Sequence, residues 1–182
     1  MNQSLKVRRL VEAAMIAAIY TVLTYAAAAL NLAYQGVQFR FSEALTILPV
    51  FTPSAIPGLA IGCFLSNLGS PMGIIDWISG TSATLLAAML TRLLRNLTVK
   101  GLPVLAPFPP VLTNALIVGC VIAVTDPAGF SVPLFAAMAL SVGLGELAVC
   151  YGLGLPLIAV LKKTGVSKRI FLESQESPKR LI

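Results

Sequence analysis

From Ala44 to Ile75 the chain carries no charged residue. That run is longer than the roughly 20 apolar residues one membrane-crossing helix needs. Pro49, Pro53, Pro57 and Gly58 interrupt it, so it has to turn within itself. The pattern predicts a short helix from about Phe41 to Phe51, a tight "TPSAIPG" turn, and a helix from about Pro57 to Leu68. A soluble fold could not hide so much apolar surface. The 182 residues are 57% hydrophobic and 11% charged, against about 25% charged in an ordinary soluble domain. The bilayer is therefore the expected solvent.

Four further apolar runs complete the map. The first, Leu10 to Leu30, follows the basic "KVRR". Small residues at Ala26 to Ala29 make a cleaved signal peptide the competing reading. The run exceeds the roughly 7–15 residues of a signal core, which favours a retained helix. Others run from about Asp76 to Leu94, Pro110 to Val124 and Leu134 to Leu161, with "RNLTVKGLP" and "TDPAGFS" as loops. The expectation is an all-α integral membrane protein, a compact bundle of six transmembrane helices over residues 1–163. Residues 164–182 form a polar cytoplasmic tail.

Charge tests this map. Six spans put both termini on one side, together with twelve of the 13 basic residues: Lys6, Arg8, Arg9, Arg92, Arg95, Lys100, Lys162, Lys163, Lys168, Arg169, Lys179 and Arg180. Only Arg40 falls on the other side. By the positive-inside rule the termini are cytoplasmic in a multi-pass protein of the cell membrane. The net charge of +6 is then topology and contact with the lipid bilayer, and needs no nucleic acid. The absence of histidine removes His-based catalysis and His-ligated metal sites. Cys63, Cys120 and Cys150 lie far apart in apolar runs, with no CxxC pair or disulfide framework. No metal site is expected.

Small residues recur at helical spacing. Gly58, Gly62, Ser66 and Gly69 share one face, as do Ser141, Gly145, Ala148 and Gly152. Such stripes let membrane helices approach closely. "EAAMIAAIY" gives two overlapping pairs, Ala13 with Ala17 and Ala14 with Ala18. They serve either packing inside the chain or docking of another membrane protein.

The polar groups inside the oil point to function. Glu43, Asp76, Asp126 and Glu146 lie within or beside the spans, toward the outer half. Intramembrane charge is costly and usually faces a cavity or a partner. Glu146 has no basic neighbour in sequence. Asp76 opens a helix, where a carboxylate suits the positive dipole end; Asp126 precedes Pro127 in a turn. Asn67 and Asn114 add amides at similar depth, and Asn31, Gln35 and Gln38 crowd the first external loop. Arg40 and Glu43, three residues apart, share a helical face if their helix starts early. Their pair either clasps that loop to the bundle or orders it as a lid. The cluster as a whole is either an outward-open pocket for a small polar molecule or a network tying helix ends together.

"RFSEALTILP", "AIPGL", "GIIDWISGTSATL", "TNALIVG" and "GELAVCYGLGLPL" resemble the QueT family, over about residues 5–165. These are substrate-binding S components of energy-coupling factor (ECF) transporters for queuosine precursors. The resemblance implies a six-helix bundle of the S-component type. It also implies capture of a 7-deazaguanine from outside and docking on a membrane coupling subunit, EcfT, driven by two ECF ATPases. In such proteins an Ala-xxx-Ala stripe on the first helix contacts that subunit, which favours docking by the alanines Ala13, Ala14, Ala17 and Ala18. ATP belongs to the partners: this chain has no GxxxxGK[ST] loop, and no cofactor of its own is expected. A guanine-like edge offers adjacent N–H donors to a carboxylate. Glu146 is the first candidate for that edge, with Asn67 or Asn114 complementing it. An aminomethyl substituent would be cationic and could meet Asp76 or Glu43. Tyr34, Phe39, Phe41 and Trp77 are candidates for stacking, or are anchors at the membrane surface.

Three other readings stay open. One is an S component for riboflavin, thiamine or a similar vitamin; another is a stand-alone carrier or channel. The third is a membrane enzyme using Glu43, Asp76 and Glu146 with Cys150 as nucleophile, although no group activates the thiol.

Overall fold

The computed structural model describes residues 3–33 and 39–171. Tyr34, Gln35, Gln38 and the tail beyond Phe171 lie outside the described residues. The described chain is helical: α1 (Gln3–Ala29), a 3-10 helix (Phe41–Val50), α2 (Ala55–Asn67), α3 (Ile74–Leu94), α4 (Phe108–Thr125), α5 (Val132–Val149), a π turn (Cys150–Gly154), α6 (Leu155–Lys163) and a short α7 (Val166–Ile170). Among the described residues, four rods are long and apolar enough to cross a membrane. They are α1, α3, α4, and the continuous Val132–Lys163 rod made by α5, the π turn and α6. Large apolar side chains such as Leu10, Met15, Ile78, Leu93, Leu140 and Val160 project outward from them. In a bilayer these meet lipid tails instead of water. The fold is that of a multi-pass helical membrane bundle.

The two remaining segments fall where the prolines predict, but they are short. At about 2.0 Å per residue for a 3-10 helix and 1.5 Å for an α-helix, each covers about 20 Å of a roughly 30 Å hydrocarbon core. The 3-10 helix is long for its kind. It touches α1, α2, α3, α5, the π turn and α6, so tertiary packing holds what local hydrogen bonding alone would not. Its three-residue turn stacks Arg40, Glu43, Thr46 and Pro49 in one row. Within that row the Thr46 hydroxyl donates to the Glu43 carbonyl, 2.6 Å away.

The π turn has a local cause. Pro156 has no N–H to give the carbonyl four residues back, and its ring crowds that carbonyl. Widening the turn over Cys150–Gly154 relieves the conflict without breaking the rod. Gly154 then packs against Ile47 and Ala44 of the 3-10 helix.

Small residues set the closest approaches, though not all where the sequence suggests. A Cβ on Gly58 would lie 2.7 Å from the Ala13 carbonyl oxygen, and one on Gly62 would lie 2.9 Å from that of Ala17. The glycine stripe of α2 therefore meets the Ala13–Ala17 pair of α1 backbone to backbone. The expected stripe of α5 and the π turn is split: Gly145 is buried and Ser141 half-buried, whereas Ala148 is exposed and Gly152 has nothing within 4 Å of its would-be Cβ. The closest α4–α5 approach is elsewhere: Gly119 of α4 sits against the Ala139 backbone, where a Cβ would be 2.7 Å from Cα, and Gly143 faces Ala115.

Basic residues gather at one end. Arg92 donates to the Pro49 carbonyl at 3.0 Å, and Lys162 donates to that of Gly101 at 2.9 Å. Phe171 stacks on Phe51 with ring centroids 5.5 Å apart. The start of α1, with Arg8, lies there too. It shares a groove of about 460 Å³ with Leu48, Leu161 and Phe171.

Candidate functional site

The interior away from the basic end holds most of the polar residues singled out above. Arg40, at the entrance of the 3-10 helix, is only 5% exposed. Its Nη2 lies 3.6 Å from Asp76 Oδ2 on α3. Its Nη1 donates to Asn67 Oδ1 at the end of α2, 3.0 Å away, and its Nε to the Ala33 carbonyl at 3.0 Å. Asn67 closes the ring by donating through Nδ2 to the Asp76 carbonyl at 3.1 Å. The ion pair of Arg40 is thus with Asp76, distant in sequence, where local spacing alone points to Glu43. Asp76 sits in the first turn of α3, yet no side-chain bond caps that helix.

A deeper cluster lies one 3-10 turn further along. Glu43, 2% exposed, accepts a hydrogen bond from the Tyr20 hydroxyl of α1. Glu146 of α5, 4% exposed, accepts from Asn114 Nδ2 of α4 at 2.9 Å. The Cys150 thiol donates to the other Glu146 oxygen at 3.5 Å. Cys150 also touches Thr46 and the Glu43 carbonyl, so the π turn ties Glu146 to the 3-10 helix. The two clusters meet through the row that carries Arg40 and Glu43.

Among the described residues, Glu43 Oε2, Trp77 Nε1 and Thr81 Oγ1 are buried near these clusters without a hydrogen-bond partner, as are both Glu12 oxygens further along α1 toward the basic end. Buried polar groups are nearly always satisfied in a folded protein. A carboxylate oxygen, an indole donor and a hydroxyl are therefore left open among the described residues. Trp77 and Thr81 stand one turn apart on α3, both half-buried. Among the described residues, no three His, Cys, Asp or Glu side chains gather to hold a metal ion.

Several placements differ from the sequence expectations. Glu146, Asn67, Asn114, Asp76, Glu43 and Arg40 are brought together, with Trp77 next to Asp76 in the chain; Tyr34 lies outside the described residues. Asn114 is only two turns into α4, nearer the basic end than Asn67, so the cluster runs deeper than the outer rim. Asp126 stands apart, its Oδ1 accepting from the Ala128 N–H at 2.8 Å in an exposed turn. Phe39 and Phe41 are half-buried. Of the α1 alanines, Ala13 and Ala17 are buried under α2; Ala14 and Ala18 face outward. Tyr20 escaped sequence reasoning. The available signal was its spacing after Ala13 and Ala17 on the inward face of α1, where a lone phenol needs an acceptor.

Fold and site define a helical membrane protein with a closed, charged cluster in its apolar interior. Residues 10–163 match the QueT transporter family, and the chain belongs to it. One curated relative is the queuosine precursor transporter QueT of Lactococcus lactis subsp. cremoris (strain MG1363), 35% identical over 85 residues, which are 47% of this chain and 50% of the relative. The match thus spans about half the length of that relative. No solved structure matches the chain.

Proposed function

We propose that this transporter-family chain is the substrate-capture subunit, the S component, of an ECF-type importer, and that it binds a 7-deazaguanine queuosine precursor. The substrate class follows from the name of the Lactococcus relative. The observation that carries the reading is the interior set of Arg40, Glu43, Asn67, Asp76, Asn114 and Glu146, with Glu43 Oε2 left over. Bilayer bundles retain such groups at a cost, for work beyond packing. Carboxylates and carboxamides together suit a flat heterocycle with adjacent N–H donors and a carbonyl. Glu146, already held by Asn114, takes the guanine-like edge.

Access is from the side opposite the basic end, which the positive-inside rule puts outside the cell. Partner docking then falls to Ala14 and Ala18, the outward pair, for the coupling subunit and its two ATPases. ATP is used there, and this chain captures ligand without changing it.

Binding decides the matter. The purified full-length chain should bind a 7-deazaguanine in a 1:1 ratio. Glu146→Gln should weaken it by more than about tenfold, as loss of a charge-assisted bond implies. Unchanged affinity in that variant would remove Glu146 from the site. Tight binding of riboflavin or thiamine, with none of any deazaguanine, would keep the class and replace the substrate.

A further inference from the structure

The groove at the basic end is separate from the interior cluster. It lies between α1, the 3-10 helix and α6, holds about 460 Å³ and reaches Phe171. Its walls are apolar: Val11, Met15 and Ile19 of α1, Leu48 of the 3-10 helix, and Leu157 and Leu161 of α6. Two charged residues interrupt them, Arg8 and Glu12, which stand one turn apart on α1. Arg8 is exposed. Both oxygens of Glu12 are shut off from solvent without a hydrogen-bond partner, so Arg8 does not satisfy them despite its spacing. A buried carboxylate with no donor is costly to keep. Glu12 is also the single charged residue of the Leu10–Leu30 run.

The dimensions of the groove suit a lipid. From Val7 to Ile19 it follows α1 for about 18 Å, roughly one leaflet of a hydrocarbon core about 30 Å thick. Its volume over that length leaves a channel roughly 6 Å wide, about half the width of a helix. A partner helix does not fit such a channel, whereas an extended hydrocarbon chain does. The mouth carries the chemistry of a headgroup site. Arg8 precedes the apolar run, with Lys6 and Arg9 near it in the chain, and a basic edge of this kind attracts phosphate. Side chains on a helix lean toward its N-terminus, which brings the Glu12 carboxylate up toward the same level. A carboxylate there disfavours a purely anionic lipid and favours a cation that can donate N–H bonds. We propose that this groove binds an aminophospholipid of the leaflet at the basic end, with one acyl chain along α1, the phosphate toward Arg8 and the headgroup ammonium on Glu12. A primary ammonium is compact and has three donors, enough for both Glu12 oxygens; the trimethylammonium of a choline lipid has none. Glu12 as a residue is half-buried. The groove beside it is edged by the long, exposed side chains of Arg8 and Met15, whose rotation opens the carboxylate to the headgroup. The site does not depend on what the interior cluster binds.

The test offers the full-length chain, purified in mild detergent, equal amounts of phosphatidylethanolamine, phosphatidylcholine and phosphatidylglycerol with identical acyl chains. Native mass spectrometry reads which lipid stays bound. The ethanolamine lipid should be retained about tenfold over the choline lipid, the worth of one charge-assisted hydrogen bond. Glu12→Gln should bring that ratio to within about twofold, with retention of the glycerol lipid unchanged or raised. Met15→Trp, which narrows the groove from an exposed position, should lower retention of the ethanolamine lipid. Equal retention of the ethanolamine and choline lipids by the wild type overturns the proposal whether or not the variants fold, as does retention of none of the three. A preference for the glycerol lipid overturns it too, leaving only attraction to the basic end. A ratio that survives Glu12→Gln, or retention untouched by Met15→Trp, puts the lipid elsewhere on the bundle and ends the proposal. If the ethanolamine lipid is retained only after residues 172–182 are removed, the groove belongs to the chain's own tail and the proposal likewise fails.

Discussion

Two populations of charge occupy this molecule, and they obey different rules. At the basic end, side chains such as Lys6, Arg8, Lys163 and Lys168 are exposed. They are solvated, belong to loops or helix ends, and act collectively through the sign of their sum. In the interior, Arg40, Glu43, Asp76 and Glu146 are nearly sealed. Each is defined by individual partners on other elements. The comparison teaches that net charge and charge placement carry separate information. The exposed set bears on how the bundle sits in the bilayer, whereas the buried set bears on what the interior can hold.

Breaking the interior pair should give the largest effect. Asp76→Ala removes the carboxylate 3.6 Å from the buried Arg40 guanidinium, and should cost about 3–5 kcal/mol in unfolding experiments in detergent or bicelles. The double variant Arg40→Met with Asp76→Leu should recover most of that loss, because apolar replacement of a buried pair is often neutral. A double variant no more stable than Asp76→Ala would mean that the cost lies in packing, and the contrast between the two populations would weaken.

A smaller effect separates two glycines. A Cβ at Gly80 would lie 2.5 Å from Asn67 Nδ2, pressing on the amide that joins Arg40 to Asp76. Gly80→Ala should therefore destabilise by about 1–3 kcal/mol, against the roughly 1 kcal/mol that alanine ordinarily adds in a helix. Gly152→Ala meets nothing and should leave the melting temperature unchanged or raised. If the two variants melt alike, the interior network is looser than its distances suggest.

The exposed set should respond least. Lys6→Gln and Arg8→Gln should leave both the melting temperature and the ligand affinity unchanged, since single surface charges are solvated in either state. A clear loss of affinity in either variant would couple the two ends of the bundle and blur the distinction drawn between them.

Much of the fold was legible because membrane helices follow a simple constraint. Every backbone group in the hydrocarbon must bond internally, so apolar runs become helices, and prolines either mark their limits, as between residues 49 and 57, or are absorbed by a widened turn, as at Pro156. Pro49, Pro53 and Pro57 bracket the turn between the 3-10 helix and α2, and the later rods begin and end within a few residues of their loops. The candidate site was legible in its membership, since charge within apolar sequence is conspicuous. Its pairing was not. Arg40 and Glu43 are three apart in sequence, and the 3-10 row does align them. Yet Arg40 reaches across to Asp76 on α3, and Glu43 takes a hydrogen bond from Tyr20 on α1. Local spacing says which face a side chain occupies, but not which neighbouring element stands opposite.

The two alanine pairs make the same point. By itself the sequence determined that the first helix carries two small stripes, that the protein lives in a bilayer, and that most of its basic residues fall in a few clusters outside the apolar runs. Composition and periodicity suffice there, because solvent preference and helical geometry are properties of the chain alone. Only the tertiary structure decided that Ala13 and Ala17 lie under Gly58 and Gly62 while Ala14 and Ala18 face outward. It alone left Glu43 Oε2 without a partner. The reason is physical: which face is inside depends on what packs against it, and whether a buried charge is satisfied depends on atoms far away in sequence.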